Sequence, residues 1–559
     1  MPVRLVERTS DAYAYPLLIK QLLHTPLAVA PDQEITYMGG RRHSYRVLRE
    51  RIGRLASMLA GLGVEAGDTV AMMDWDSHRY LECFFAVPMM GAILQTVNVR
   101  LTPEQILYTL NHARADVVLV NAEFLAILAA IAPRLETVKR FVLIEDAPVE
   151  GAAPVPLAGE YEALLAAASP DYDFPDFDEN AQATTFYTTG TTGNPKGVYF
   201  THRQLVLHTI GVATIMGSVD SVRLLGTNDV YMPITPMFHV HAWGLPYVAT
   251  MLGLKQVYPG RYDPEYLVEL WRKEKVTFSH CVPTILQMVL NAKAAQNVDF
   301  GGWKIVIGGS ALNRSLYEAA KARGIQLTAA YGMSETGPLV SCAHLNDELM
   351  AGSEDERTTY RIKAGVPGPL VEAAIMDTDG RFLPADGETQ GELVLRAPWL
   401  TEGYFNEPQK GAELWAGGWL HTGDVATLDG MGVIDIRDRI KDVIKTGGEW
   451  ISSLALEDLV SRHPAVREVA VVGIADPQWG ERPFALLVVR EGHVIDAREL
   501  KEHLKPFVEL GHLSKWAIPS QIAVVTEIPK TSVGKLDKKR IRVDIIEWQA
   551  NNSTFLSTL

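Results

Sequence analysis

Apolar residues recur along this chain in two alternating rhythms, and that alternation constrains the fold more than any other feature. "SYRVLRERIGRLASMLAGLG" (Ser44 to Gly63) carries apolar residues at helical spacing and ends on glycine; "DTVAMMDW" follows as a strand and "HRYLECFFAVPMMGAIL" as a buried helix. "TPEQILYTLNHA" opens with Thr102 as N-cap and Glu104 in the first turn, and "ADVVLVNA" is again a strand. Strands alternating with helices predict a parallel, doubly wound sheet. The acidic stretch from Ala147 to Asn180, rich in Pro and Ala, reads as a surface connection, and a second alternating stretch runs from Asp229 to about Asp435. Within it, "WKIVIGGSAL" ends a β-rich run on Gly308 and Gly309, at the edge where open α/β sheets bind ligands.

At 559 residues the chain exceeds one ordinary core. The pattern changes at "IDIRDRIKDVIKTGGEWIS" (Ile434 to Ser452), where strong charge meets a glycine pair. Two strands and the helix "DARELKEHLKPFV" follow, enough for a compact α+β unit. The boundary is therefore placed near Asp438, separating residues 1–437 from 438–559.

Net charge is −15, which argues against broad nucleic-acid binding; a polyphosphate ligand would need a locally built positive site. Cys83, Cys281 and Cys342 lie too far apart for a disulfide framework or a CxxC metal site, as suits a reducing cytosol. Charge interrupts the N-terminus before any apolar run develops, and the longest run, from Cys83, falls short of the ~20 residues of a spanning helix. The expectation is a cytoplasmic protein with neither signal peptide nor membrane insertion.

"YTTGTTGNPKG" (Tyr187 to Gly197) packs glycines, threonines and a lysine together, yet fails as a Walker A loop: counted from Gly190, Pro195 stands where the second glycine belongs. Its glycines still let backbone amides approach an anion, and its threonines offer hydroxyls to phosphate or Mg²⁺. A mobile surface turn is the alternative on composition alone. In "FHVHAW" the H-x-H pair has no third ligand nearby, which disfavours a metal site and favours a strand end entering a helix.

The loop has companions in fixed order: "YGMSETG" (Tyr331 to Gly337), "TGD" (Thr422 to Asp424), "DRIKDVIKTGGEWIS" (Asp438 to Ser452) and "PKTSVGK" (Pro529 to Lys535). The series resembles the adenylate-forming superfamily from about Pro16 to Arg540. "PMFHVHAWGLPY" (Pro236 to Tyr247) and "KTGGEWIS" look most like its fatty-acid–CoA ligase branch, which includes ligases of 3-methylthiopropionate. The resemblance implies a large N-terminal α/β domain of doubly wound parallel sheets with a small barrel-like subdomain, and a mobile α+β C-terminal domain hinged near Lys441. It implies a Mg-ATP-dependent reaction in which a carboxylic acid is adenylated and then transferred to coenzyme A.

The same resemblance assigns residues. Thr188, Thr189, Gly190, Thr191, Thr192 and Lys196 would clasp phosphates, with Thr188 and Glu335 near the metal. Tyr331 and Gly332 would face adenine, Ser334 phosphate, Asp424 and Arg439 the ribose. Lys535 would bridge the acid and the α-phosphate. Lys441, Lys445 and Trp450 fall at hinge and nucleotide positions, and Gly447 and Gly448 would let the coenzyme A arm pass. His239, Val240, Trp243, Gly309, Ala329 and Ala330 would line the acyl pocket, His239 beside the adenylate as well. Relatives often carry glycine before this tyrosine, so the methyls of Ala329 and Ala330 point to a short or medium acid, with a long chain as runner-up. A homodimer is implied too. A carrier-loading adenylation domain, a luciferase-like oxygenase, a non-catalytic sensor and a P-loop kinase are the competing readings; a sensor would have no use for Lys535, and a kinase would make ADP.

Overall fold

The computed structural model describes residues 3–147, 154–188, 194–218, 223–446, 449–511, 513–532, 534–550 and 556–558. The predicted alternation produces two large sheets. A seven-stranded sheet has Thr69–Met73 at its centre, flanked by Ile93–Thr96 and Ala115–Asn121, with every pair parallel except the last, Gln182–Tyr187 with Gly197–Thr201. All five residues of Thr69–Met73 are buried, as a strand covered on both faces requires. The nine-stranded sheet has a parallel centre running Gln326–Gly332, Lys304–Ile307, Phe278–Cys281, Val230–Pro233, Lys255–Tyr258 and Glu34–Tyr37.

The helix Tyr45–Gly61 starts where Ser44 accepts a hydrogen bond from the Val47 amide, and it buries Leu48, Ile52, Leu55 and Leu59 at helical spacing. Gly53 is needed for close approach: a Cβ there would lie 1.9 Å from the Pro170 carbonyl oxygen. The Thr102 cap is completed by Gln105 in a capping box.

Two expectations are corrected. The apolar run after His78 is not one helix: it ends at Met89, Gly91 turns at φ +82°, and Ile93–Thr96 is a strand. Pro88 and a left-handed glycine stop the helix where hydrophobicity alone gives no signal. The stretch read as a surface connection contains the strand Leu157–Glu160, at the edge of the seven-stranded sheet, and the helix Tyr161–Ala167. That helix brings Glu162 to Arg41, Arg51 and Arg79 at 2.8, 2.9 and 3.0 Å.

A four-stranded antiparallel sheet (Glu372–Met376, Gly391–Arg396, Leu420–Leu428, Ile434–Arg439) follows, and is the small subdomain. The chain then enters a mixed six-stranded sheet led by the long hairpin Val466–Asp476 and Gly480–Val489, the expected α+β unit. Helices Ser453–Ser461, Ala497–Glu509 and Lys538–Ala550 belong to it, with cores around Leu456, Leu487 and Leu504 on one side and Phe484, Leu486 and Ile541 on the other. Lys538, at the start of the last of these helices, sits 2.8 Å from the Glu457 carboxylate.

Glu82 is 1% exposed and is held by Arg51 at 2.7 Å and by the Tyr161 hydroxyl at 2.7 Å. Arg51→Met should leave that carboxylate without its cation and lower stability by about 3 kcal/mol. An unchanged denaturant midpoint would show that the network carries little.

Candidate active site

The cleft forms where the parallel strands Lys304–Ile307 and Gln326–Gly332 end, facing the four-stranded sheet. Tyr331, at the end of its strand, donates from its hydroxyl to Asp424 Oδ2 at 2.6 Å, and Arg439 Nε lies 3.3 Å from Oδ1. Asp424 and Arg439 are register partners on neighbouring strands, so the ion pair is built by the sheet itself. Burial pushes the Asp424 carboxyl up, while Arg439 and Tyr331 pull it back. Gly332 has no room for a side chain, since a Cβ would meet the Pro338 carbonyl oxygen at 1.9 Å.

Glu335 sits in a short 3₁₀ turn with Ser334, is 7% exposed, and accepts from the Tyr404 hydroxyl at 2.6 Å. The Tyr404 ring in turn carries the Lys196 ammonium 4.3 Å from its centre. Lys196 and Thr188 are clipped together: the Thr188 amide donates to the Lys196 carbonyl at 2.9 Å, and the Lys196 amide to Thr188 Oγ1 at 3.3 Å. The two ends of the phosphate-type loop therefore stay in register with the strands that carry it. Thr189, Gly190, Thr191 and Thr192 lie outside the described residues, as do Gly447 and Gly448.

Lys535 reaches this cleft from the C-terminal unit, with its Cε 3.2 Å from where a Cβ on Gly309 would stand; Gly309 itself takes φ +78°. Burial, followed by Arg439, lowers its pKa to about 8, against the opposing pull of Asp424 and Glu335. His239, also desolvated and facing Lys535, is pushed down to about 3 and is a neutral imidazole. The Lys535 loop is gripped from the large domain at three points. Thr284 Oγ1 donates to the Gly534 carbonyl at 2.7 Å, Asn98 Nδ2 to Ser532 Oγ at 3.1 Å, and Arg100 to the Ser532 carbonyl at 3.2 Å. Tyr404, Thr284, Asn98 and Arg100 were not legible in the sequence; they belong to no motif, and only folding brings them to their partners.

The expected acyl residues separate. Trp243 and Ala330 share one buried cluster, and the indole edge lies 3.2 Å from the Cβ position of Gly308. Ala329 packs in the opposite cluster with Met232, Ile305 and Leu327, because successive strand residues face opposite sides. Val240 packs with Phe238 and Ala242 in the core of the seven-stranded sheet. Residues 240–243 do not run from a strand into a helix: each has φ between 47° and 61°, a left-handed turn, and the right-handed helix starts only at Leu245 after Gly244. Lys445 and Trp450 are register partners on the antiparallel strands Ile444–Thr446 and Glu449–Ile451, the ammonium 5.4 Å from the ring centre and the indole half exposed. Lys441 lies close enough to Arg439 for its pKa to fall, though burial contributes more.

Thr284→Val removes one grip on the Lys535 loop at constant volume. Amide exchange at residues 531–535 should accelerate about fivefold, the equivalent of one hydrogen bond of about 1 kcal/mol. Exchange as slow as in the unaltered chain would mean that the loop is held elsewhere.

Comparison with known proteins agrees with this geometry. Residues 23–405 match the AMP-binding enzyme family, and residues 455–535 match the AMP-binding enzyme C-terminal domain. The chain is 41% identical over 509 residues to a long-chain-fatty-acid–CoA ligase of Thermus thermophilus, covering 90% of each. It is 37% identical over 534 residues to a 3-methylmercaptopropionyl-CoA ligase of Ruegeria pomeroyi, covering 94% of this chain and 97% of the relative. The fold matches the anthranilate CoA ligase AuaEII in complex with anthranoyl-AMP at a TM-score of 0.84, with 24% identity over 97% of this chain and all of that one, a likeness that speaks for the fold alone. The chain belongs to the AMP-binding enzyme family, as an AMP-forming acyl-CoA ligase.

Proposed function

We propose that this ligase activates a short to medium aliphatic acid, 3-methylthiopropionate or a comparable alkanoate. The observation that carries the reading is the Trp243 indole packed across Gly308 and beside Ala330, where it would close the apolar face behind the acyl carbon. A second reading, a long-chain acid, is favoured by the 41% identity to the Thermus ligase.

In the first half-reaction a carboxylate oxygen attacks the α-phosphorus of ATP, and pyrophosphate leaves with the electron pair of the broken P–O bond. In the second, the coenzyme A sulfur attacks the acyl carbonyl, its proton is lost, and AMP departs. Both steps crowd negative charge onto oxygen, so fixed cations matter most. Lys535 would bridge the carboxylate and the α-phosphate, and Lys196 and Thr188 would hold the departing pyrophosphate with Ser334. Asp424 and Arg439 would hold the ribose, and Tyr331 would stack on adenine. Neutral His239 and Gly309 would back the acyl-adenylate, the glycine leaving room for it.

Glu335 with Thr188 suits Mg²⁺: one buried, hydrogen-bonded carboxylate and a hydroxyl are hard oxygen donors. Among the described residues no group of three or more His, Cys, Asp or Glu could hold a metal alone, so substrate phosphates would complete the shell. When bound, the ion would neutralise phosphate charge. Residues 438–559 would then turn about Lys441, withdrawing Lys535 and presenting Gly447 and Gly448 to coenzyme A, with Lys445 and Trp450 beside the nucleotide. A homodimer in the cytoplasm completes the reading; no helix among the described residues is long and apolar enough to cross a membrane.

Incubation with Mg-ATP, coenzyme A and acids from propionate to palmitate, with 3-methylthiopropionate included, should yield AMP and pyrophosphate, with the rate peaking at the short or medium acids. ADP as product would defeat the mechanism, and a steady rise to palmitate would favour the long-chain reading. Lys535→Ala should slow adenylation at least about a hundredfold. With a pKa near 8, Lys535 carries its charge below that pH and loses it above. The kcat/KM for ATP should therefore fall as pH rises through about 8, whereas Lys535→Arg should flatten that alkaline limb. An identical limb in the two proteins would exclude Lys535 as its source.

A further inference from the structure

Two fully buried polar groups lie in one row of the nine-stranded sheet, directly behind the expected acyl wall. His280, Val306 and Thr328 are register partners on three adjacent parallel strands and so project from the same face. Two residues further along those strands come Val282, Gly308 and Ala330, the row that meets Trp243. The Trp243 ring lies 5.0 Å from the His280 ring and reaches Gly308 with its far edge, so the indole spans both rows.

His280 and Thr328 each have no exposed surface. Tyr231 stacks on His280, and its hydroxyl lies 2.9 Å from Nε2. Donation from the phenol to Nε2 leaves fewer groups unpaired than the reverse, and it puts the proton of the imidazole, held neutral by burial, on Nδ1. Among the described residues neither that Nδ1 nor the Thr328 hydroxyl has a hydrogen-bond partner. Buried donors without partners destabilise a fold, and a valine would fill the place of Thr328 without that cost. Two such groups in one row, on the face where the acid is expected, point to a ligand atom.

We propose that His280 and Thr328 form a polar floor to the acyl site, and that the preferred acid carries a hydrogen-bond-accepting heteroatom in its chain: a hydroxyl or ether oxygen, or a thioether sulfur. This rests on the reading of Gly309, Ala330 and Trp243 as the acyl wall, and it separates acids by composition where that reading separates them by length. Sulfur accepts weakly, so oxygen-bearing acids should gain more than thioethers.

The test uses acids matched in length, with and without the heteroatom: 3-methylthiopropionate and 4-hydroxybutyrate, each against pentanoate, or the corresponding pair at whatever length the enzyme turns over best. A displaced optimum length would sink the short-acid reading and only change the pair used here. The unaltered enzyme should favour the hydroxy acid over its alkanoate partner by roughly three- to tenfold in kcat/KM, the worth of one or two such bonds. Thr328→Val should reduce that ratio by most of its value, with a melting temperature at or above that of the unaltered enzyme. Thr328→Ser should restore the ratio, which a purely steric role for Thr328 would not produce. No preference in the unaltered enzyme, or a ratio untouched by Thr328→Val, overturns the proposal.

Discussion

The carboxylate of Asp424 is the interaction on which the rest of the cleft depends. It joins the nine-stranded sheet, through the Tyr331 hydroxyl, to the four-stranded sheet, through Arg439, and Arg439 ends the last strand before the chain enters the C-terminal unit. Burial pushes the Asp424 carboxyl up, and the guanidinium and the phenol oppose that rise. Asp424 and Glu335 together offset part of the cost of bringing Lys535 into a desolvated cleft already holding Arg439. The cleft thus holds carboxylates and cations close together, with Arg439 paired to Asp424 and Lys535 drawn by Asp424 and Glu335.

Position matters as much as charge. Lys535 sits on a short loop held by Thr284, Asn98 and Arg100, all from the large domain. These contacts are polar and few, and three hydrogen bonds of about 1 kcal/mol each are a hold that can be released. The unit is also joined to the large domain away from this loop, where the Arg314 amide donates to Asp458 Oδ1 at 3.0 Å. Arg100 shows how a cation is kept ready at the loop itself: its guanidinium faces the rings of Trp75, Phe238 and Tyr262 at 5.9 to 6.0 Å, which fix its direction at little desolvation cost.

Much of this was legible because it is local. The Ser44 and Thr102 caps, the glycine pair after Ile307 and the motif series all lie within short windows of sequence, where periodicity and residue chemistry speak directly. What escaped is relational. Tyr404 meets Glu335 across 69 residues, Thr284 meets Gly534 across 250, and Asn98 meets Ser532 across 434, and no spacing rule reaches that far. Ala329 and Ala330 look alike in a string of letters, yet the pleat sends them to opposite faces, so only Ala330 shares the Trp243 cluster.

The turn at residues 240–243 is where local rules failed most instructively. Left-handed backbone costs L-residues about 1–2 kcal/mol each, and Val240 is β-branched, for which the region is least hospitable. Such a turn persists only if its surroundings dictate it. Here they do: Asp76 accepts from the Met237 amide at 2.8 Å, Thr96 donates to the Phe238 carbonyl at 3.0 Å, and the side chains of all four residues are buried. A right-handed continuation would rotate those side chains out of the packing they now fill. The strain therefore fixes two directions at once, sending Val240 into the core of the first sheet and Trp243 across the second, over Gly308 and His280. A strand running smoothly into a helix would have spent several residues making that change, and His239 could not then stand beside Lys535 while Trp243, four residues on, packs over Gly308.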